Sequence, residues 1–346
     1  MLDWLLLLRM LSLIWKFSRP HTLIGTSISI ISLLLLVLYA STVPSDIEPN
    51  NLSQTAEILI PGLDHFGSVL PSHQSKITGF IPVLTAKISA FFYLLLPTLL
   101  VCLMCNIFIT GLNQIVDVEL DKINKPHLPL ASGELTMSQG KWIVAIAGVL
   151  AITGAGLIQP FLGFLITLIA AIGAMYSLPP IQFKRHHIWA ASAIALVRGP
   201  LINMGIAIHF ATTLFGWPLI SLPWLTPLVV FVTAFSLGIA WFKDIPDTQG
   251  DKIHGFKTLA LVWSRERALK SGQWLVSLAY LFLAIFWLLI DVHTTAGIAH
   301  LLLLAIFWSQ AQRVDLQSAV SIKRFYMFYW GLFFLEYLLM PILLCK

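Results

Sequence analysis

Nine stretches of this chain are long and apolar enough to be helices in lipid. A hydrocarbon layer about 30 Å thick is crossed by roughly 20 residues of helix. Such runs lie near Leu23–Ala40, Val83–Leu112, Trp142–Ile158, Phe161–Leu178, Ile188–His209, Trp224–Phe242, Trp274–Ile290, Thr295–Trp308 and Phe325–Leu344. The third, fourth and eighth are short and need support from their neighbours. Of 346 residues only 11% are charged and 58% are hydrophobic, whereas a soluble domain carries roughly 25% charge. An ordinary globular protein and a disordered chain are both excluded. The runs also lack the period-two alternation of an outer-membrane barrel. The expected fold is all-α and polytopic, with about nine transmembrane helices in a single membrane-embedded domain over residues 1–346.

Lys and Arg collect on alternate connections. They are Arg9, Lys16 and Arg19, then Lys122, Lys125 and Lys141, then Lys184 and Arg185, then the set from Lys243 to Lys270, and finally Arg313, Lys323 and Arg324. By the positive-inside rule these connections and the N-terminus face the cytoplasm, and nine spans put Lys346 on the other side. Lys76 and Lys87, flanking or entering the second span, are the exceptions. Met1 to Leu13 is mostly apolar, without a basic leader or a small-residue cleavage site, so residues 1–15 read as an interfacial helix and not as a signal peptide. The connection at 41–79 reads as a non-cytoplasmic loop, and its Asn51-Leu52-Ser53 matches a glycosylation sequon by pattern only. Cys102 and Cys105 sit in an apolar run with no further ligands and read as packing residues.

Six of the sixteen acidic residues fall in two short clusters at cytoplasmic ends of spans. Asn113, Asp117 and Asp121 recur every four residues, along one face of a helix that continues the second span, drifting about 40° per step. Asp244, Asp247 and Asp251 follow the sixth span, where Pro246 and Gly250 are expected to distort the helix. One cluster amid lysines is ordinarily a solvated anchor. Two similar clusters about 130 residues apart, each following an even-numbered span, suggest duplicated halves of about four spans. Hard oxygen donors of this kind suit Mg²⁺, which keeps waters and phosphate oxygens in its remaining positions. No His or Cys lies at ligand spacing, which disfavours zinc. An ion between an acidic wall and an allylic diphosphate assists departure of the diphosphate, and apolar spans shield the resulting cation from water. These residues suggest an intramembrane prenyl-transfer enzyme. A secondary transporter with inverted repeats is the alternative from another class, but it would place corresponding acids on opposite sides and near the midplane.

At these residues the chain resembles the UbiA-type intramembrane aromatic prenyltransferases, whose hallmarks are NxxxDxxxD and DxxxD motifs. Asn113 to Gly133 and Lys243 to Asp251 are similar to the homogentisate prenyltransferases of cyanobacteria and plastids. Arg19-Pro20-His21-Thr22, Tyr176 to Pro180 with Lys184-Arg185, Val197-Arg198-Gly199 and Gly255 to Leu259 add to the likeness, which runs from about residue 16 to the end. The resemblance implies a nine-helix bundle around a central cavity and Mg²⁺ dependence. It further implies transfer of a prenyl chain to homogentisate with decarboxylation, which in the phytyl branch is a step towards tocopherol. Geranylgeranyl and solanesyl transfer share both motifs and remain open. The membrane implied is a bacterial inner or thylakoid membrane of cyanobacterial type, with the active site towards the cytoplasm. Gln249 departs from the Glu expected in DxEGD.

Carried over position by position, Asn113, Asp117 and Asp121 would hold one Mg²⁺ and Asp244, Asp247 and Asp251 a second, both bridging the diphosphate. Lys243 is the first candidate for a diphosphate contact, with Lys122 and Lys125 as others, while Lys184 and Arg185 would attract either the diphosphate or the carboxylate of homogentisate; each also serves as a charge on its own side of the membrane. Arg198 lies about ten residues into the fifth span, where Arg costs roughly 2.5–3.5 kcal/mol even on the lenient scale. Its expected partner is the diphosphate or Glu336. Tyr176 either faces the allylic cation or anchors the interface. By the resemblance Arg19 and His21 belong to a site at the cytoplasmic mouth, while sequence alone makes them interface anchors, and Asn203 either lines the cavity or bonds between helices. The partners expected are lipid, a prenyl diphosphate and homogentisate, with no nucleic acid; nothing in the sequence sets an oligomeric state.

Overall fold

The computed structural model describes residues 2–40, 91–216, 225–289 and 294–344. The loop expected at 41–79 with its sequon, Lys76, Lys87, the start of the second span at Val83, and Lys346 lie outside the described residues. Among the described residues nine helices are long and apolar enough to cross a membrane, and no strand forms; His186 and Lys257 make an isolated parallel bridge.

Helix α1 (Leu2–Phe17) carries exposed Leu8, Met10, Leu11 and Trp15 and is tied down by an ion pair from Lys16 to Glu134, 3.0 Å. Helix α2 (Pro20–Ala40) follows. A π turn at Phe91–Leu95 leads into α3 (Leu96–Val116), the short α4 (Val118–Asn124) and α5 (Pro129–Ser132). Helices α6 (Met137–Ile158) and α7 (Pro160–Ser177) form a hairpin that packs on α3. The fifth span is broken into α8 (His187–Leu196), a π segment (Val197–Leu201) and α9 (Ile202–Phe215). Then come α10 (Leu225–Asp244), the short α11 (Thr248–Ile253) and α12 (Leu259–Val262), and the long α13 (Arg265–Leu289), α14 (Thr294–Ala311) and α15 (Ala319–Leu344).

Several helices begin before their apolar runs. Helix α6 starts at Met137 and not near Trp142, because Thr136 accepts from Gln139 N (3.2 Å) and Gln139 Oε1 accepts from Thr136 N (3.0 Å), a reciprocal cap. Helices α13 and α15 likewise begin several residues ahead of their apolar runs, since hydropathy reports the lipid thickness while capping and packing set where a helix stops.

The break in the fifth span follows from Pro200, which has no N–H to continue the ladder. Asn203 Nδ2 donates to the carbonyls of Arg198 and Gly199, both at 2.7 Å, so the loosened carbonyls stay satisfied inside the bundle. Gly199 is required there: a β-carbon would lie 2.0 Å from Thr233 Oγ1 on α10.

An aromatic wedge locks α10 to α13 and α15. Phe235 stacks on Tyr329 at 4.2 Å, Tyr329 Oη donates to the Phe235 carbonyl at 2.8 Å, and Tyr280 meets Phe231 edge-on at 5.1 Å. The outer surface carries exposed Trp142, Leu157, Phe164, Leu278 and Leu289, as a lipid-facing surface should. A cavity of about 250 Å³ opens between α2, α3, α7, the broken fifth span, α10 and α15.

Candidate active site

Both acid motifs sit where a membrane helix gives way to a short one. Asp117 interrupts α3 and α4 with φ −101° and ψ 15°, so the single continuous helix expected from Asn113 to Asp121 is bent at its middle acid. The bonds Asp117 N to Asn113 O (3.0 Å) and Asp121 N to Asp117 O (2.7 Å) persist across the bend, so the three side chains stay one turn apart. The second motif repeats the design with a sharper break. Helix α10 ends at Asp244, Pro246 forbids continuation, and α11 restarts at Thr248 with Asp251 N bonded to Asp247 O at 3.1 Å. Arg265 Nε holds the intervening turn through the Ile245 carbonyl, 3.0 Å.

The two motifs are clasped to each other. Asn124 Oδ1 accepts from Gly250 N at 3.1 Å and its Nδ2 reaches Asp251 Oδ1 at 3.5 Å, while Lys125 Nζ pairs with Asp247 Oδ2. Asn124 escaped the sequence reading because a lone Asn three residues beyond a motif carries no pattern; its role arises only when α4 meets α11.

Lysines sit against the acidic oxygens, and an arginine against the amide oxygen of Asn113. Lys184 Nζ donates to Asp117 Oδ1 at 2.6 Å, Lys243 Nζ lies 3.6 Å from Asp244 Oδ1, and Arg19 Nη2 donates to Asn113 Oδ1 at 3.3 Å. Arg19 adopts a left-handed backbone, φ 55°, costly for a residue with a β-carbon and typical of positions held for function. Lys122 turns away to pair with Glu119 at 2.7 Å on the exposed side. Arg185 is also outside, over the Phe256 ring at 5.4 Å, and Gln249 is exposed, so the departure from DxEGD faces away from the acids.

At the neck of the cavity, Tyr176 Oη accepts from Lys243 Nζ at 2.6 Å, and Tyr176, Lys243, Arg19, His21, Asn113 and Arg198 all line the hollow. Arg198 lies over the Trp330 indole at 4.8 Å, and His21 meets the same indole edge-on at 5.0 Å. Glu336, the in-protein partner considered for Arg198, is instead engaged by His300 Nε2 at 3.1 Å. Asn203 is buried behind the wall, where it accepts from Tyr337 Oη at 2.8 Å; it ties helices together and does not face the hollow. Tyr326 and Trp330 were not singled out from the sequence, since aromatics are dense throughout the last span.

Electrostatics supports a site built for a cation. Burial raises the Asp121 carboxyl above its ordinary range, with Arg19 and Lys125 opposing and Asp117 and Asp247 reinforcing the shift. Asp251 is pushed up to about 7 by burial, then by Asp244 and Asp247. Burial lowers Lys184 despite Asp117 beside it. Asp121 Oδ2 is buried without a hydrogen-bond partner. Among the described residues no three acids, histidines or cysteines converge as a ready-made ligand cage. Mg²⁺ characteristically binds through one or two carboxylates and completes its shell with water and substrate oxygens. An orphaned buried carboxylate oxygen on Asp121, crowded acids whose charge burial disfavours, and an all-oxygen donor set therefore fit such an ion.

The family model described as the UbiA prenyltransferase family matches residues 77–332. The chain is 35% identical over 335 residues to a homogentisate phytyltransferase of Synechocystis sp., covering 95% of this chain and 94% of that one. It is 32% identical to homogentisate phytyltransferase 1 of Arabidopsis thaliana, covering 95% and 74%. The fold is similar to a UbiA homolog from Archaeoglobus fulgidus whose structure holds GPP and Mg²⁺, with TM-score 0.54 and 17% identity over 95% of this chain and 99% of that one. Nine membrane helices among the described residues, paired acid motifs at the neck of an apolar cavity and these relatives lead to one conclusion: the chain belongs to the UbiA prenyltransferase family and is an integral-membrane aromatic prenyltransferase.

Proposed function

We propose that the protein transfers a prenyl group, phytyl in the first instance, from its diphosphate to homogentisate with loss of carbon dioxide, in a Mg²⁺-dependent reaction of tocopherol formation. The observation that carries this reading is the clasp of two acid motifs, joined by Asn124 and Lys125, at one end of an apolar cavity. Relatives named for homogentisate support the acceptor.

Asn113, Asp117 and Asp121 would hold one Mg²⁺ and Asp244, Asp247 and Asp251 a second, and the ions when bound would neutralise charge on the departing diphosphate. Lys184, Lys125 and Lys243 stand on the same acids and are in position to turn from carboxylate to diphosphate oxygens. Tyr176, fixed by its bond from Lys243, presents its ring beside the carbon that becomes cationic. The isoleucines of α7 and the fifth span receive the prenyl tail and exclude water from that carbon. The hydroquinone ring of homogentisate is electron-rich and needs no strong base. The basic connections support a mouth facing the cytoplasmic side, and the proposed membrane is a bacterial inner or thylakoid one.

The test is an assay on purified membranes with labelled homogentisate, Mg²⁺ and phytyl, geranylgeranyl or solanesyl diphosphate offered separately. Phytyl transfer is expected to be fastest. Absence of prenylated quinol with all three donors, or near-normal turnover by Asp117→Ala, contradicts the proposal.

A further inference from the structure

We infer that Arg198, laid on the Trp330 indole, is the receptor for the carboxylate of the aromatic acceptor and selects acids over neutral rings. The inference deepens the function proposed above and rests on its acceptor being an aromatic acid.

A guanidinium deep in a membrane bundle needs a negative partner. No described carboxylate lies within ion-pair distance of Arg198, because Glu336 is held by His300 at 3.1 Å. The side chain is only half-buried and what it exposes faces the cavity. Its backbone is held in place: Arg198 lies in the π segment, Asn203 donates to the carbonyls of Arg198 and Gly199 at 2.7 Å, and Tyr337 donates to Asn203 at 2.8 Å. Inserted π turns recur at functional sites.

Two anions could answer it, a diphosphate or a carboxylate. Lys184, Lys125 and Lys243 each contact an acid-motif residue and so already surround the place where a metal-held diphosphate would sit. Arg198 contacts none of those residues. Its surroundings are aromatic instead: Trp330 beneath it at 4.8 Å and His21 edge-on to the same indole at 5.0 Å, with Tyr326 and Phe333 also on the cavity wall. A planar fork above an aromatic wall matches a flat ring bearing one carboxylate, held by two parallel hydrogen bonds.

The test uses the purified full-length protein and Arg198→Gln and Arg198→Lys variants, each checked for monodispersity and melting temperature. Equilibrium binding of labelled homogentisate is measured against methylhydroquinone, the same ring without the carboxylate, and steady-state KM is measured for acceptor and donor. Arg198→Gln is expected to weaken homogentisate binding about thirty-fold, as loss of a charge-assisted pair implies. The acceptor KM should rise in parallel, the donor KM should stay within two-fold, and the preference for homogentisate over methylhydroquinone should collapse. Arg198→Lys should recover part of that preference, since an ammonium lacks the fork. A raised donor KM with homogentisate binding unchanged overturns the inference in favour of the diphosphate, and equal losses for both rings overturn it in favour of a purely structural role. If homogentisate binding falls on substitution although the wild type prenylates no acid, the function proposed above fails and this inference stands.

Discussion

Replacing Gly250 with alanine isolates the clasp between the two acid motifs. Gly250 lies inside α11, so alanine suits the backbone and by helix propensity would stabilise it. The added β-carbon, however, would stand 2.4 Å from Asn124 Oδ1 and 2.7 Å from its Cγ. An ordinary contact begins near 3.4 Å, so Asn124 or the whole of α11 must retreat by about 1 Å. Retreat of Asn124 gives up its bond to Gly250 N and its reach to Asp251, which orphans a buried donor at about 1–3 kcal/mol. Retreat of α11 carries Asp251 and Asp247 out of register with Asp117 and Asp121. A misplacement of about 1 Å at a catalytic constellation costs on the order of a hundredfold, or about 2.7 kcal/mol in the barrier. The assay is kcat/KM for the prenyl diphosphate on purified protein, with Mg²⁺ affinity alongside. The control is the pair with Asn124→Ala, which removes the group the new methyl strikes. Asn124→Ala/Gly250→Ala is expected to be no worse than Asn124→Ala alone, so the coupling between the sites equals the whole cost of Gly250→Ala, about 2.7 kcal/mol. Activity of Gly250→Ala within two-fold of wild type, or strict additivity in the double variant, would refute the clasp.

Three further outcomes follow from the same geometry. Because Asp251 in the metal-free protein is pushed up to about 7, protons compete with the ion below that value. Mg²⁺ affinity from calorimetry should therefore fall up to about tenfold per pH unit below 7 and flatten above it, and Asp251→Asn should make the slope just below 7 shallower. Lys184 stands on Asp117 at 2.6 Å where a metal would bind, so Lys184→Met should tighten Mg²⁺ about tenfold while raising the donor KM; weaker metal binding would contradict it. His300→Ala leaves Glu336 unpaired at 0% exposure, which should cost about 3–5 kcal/mol and lower the melting temperature in detergent. His300→Leu/Glu336→Leu should recover most of that loss, and an unchanged melting temperature for the single variant would show that the pair carries no load.

The spans were legible because burial in lipid demands apolar length, and length is written directly in the sequence. What hydropathy could not convey was where helices end, as the cap at Thr136 and the early starts of α13 and α15 show. The acid motifs were legible through spacing, but spacing alone predicts an unbroken helix through Asp117 and does not contain the bend. Lys122 and Lys125 looked equivalent in sequence; three residues along a short helix put one on solvent with Glu119 and the other on Asp247. Arg198 was recognisable as costly, yet its choice of Trp330 over Glu336 depended on His300 lying one helix away on α14. The clasp of Lys125 to Asp247 and the seat of Arg198 on Trp330 are pairings between distant segments, decided by packing and not by local pattern.

The central claim is that an acid from each motif serves one metal-dependent prenyl transfer. It is tested most directly by following labelled homogentisate and phytyl diphosphate to product while Mg²⁺ is titrated, for the wild type, Asp117→Asn and Asp251→Asn. Product is expected to depend on Mg²⁺ and vanish in chelator, and each variant should fall by about three orders of magnitude while remaining folded. Wild-type turnover in chelator, or near-normal turnover by either variant at saturating Mg²⁺, would contradict it.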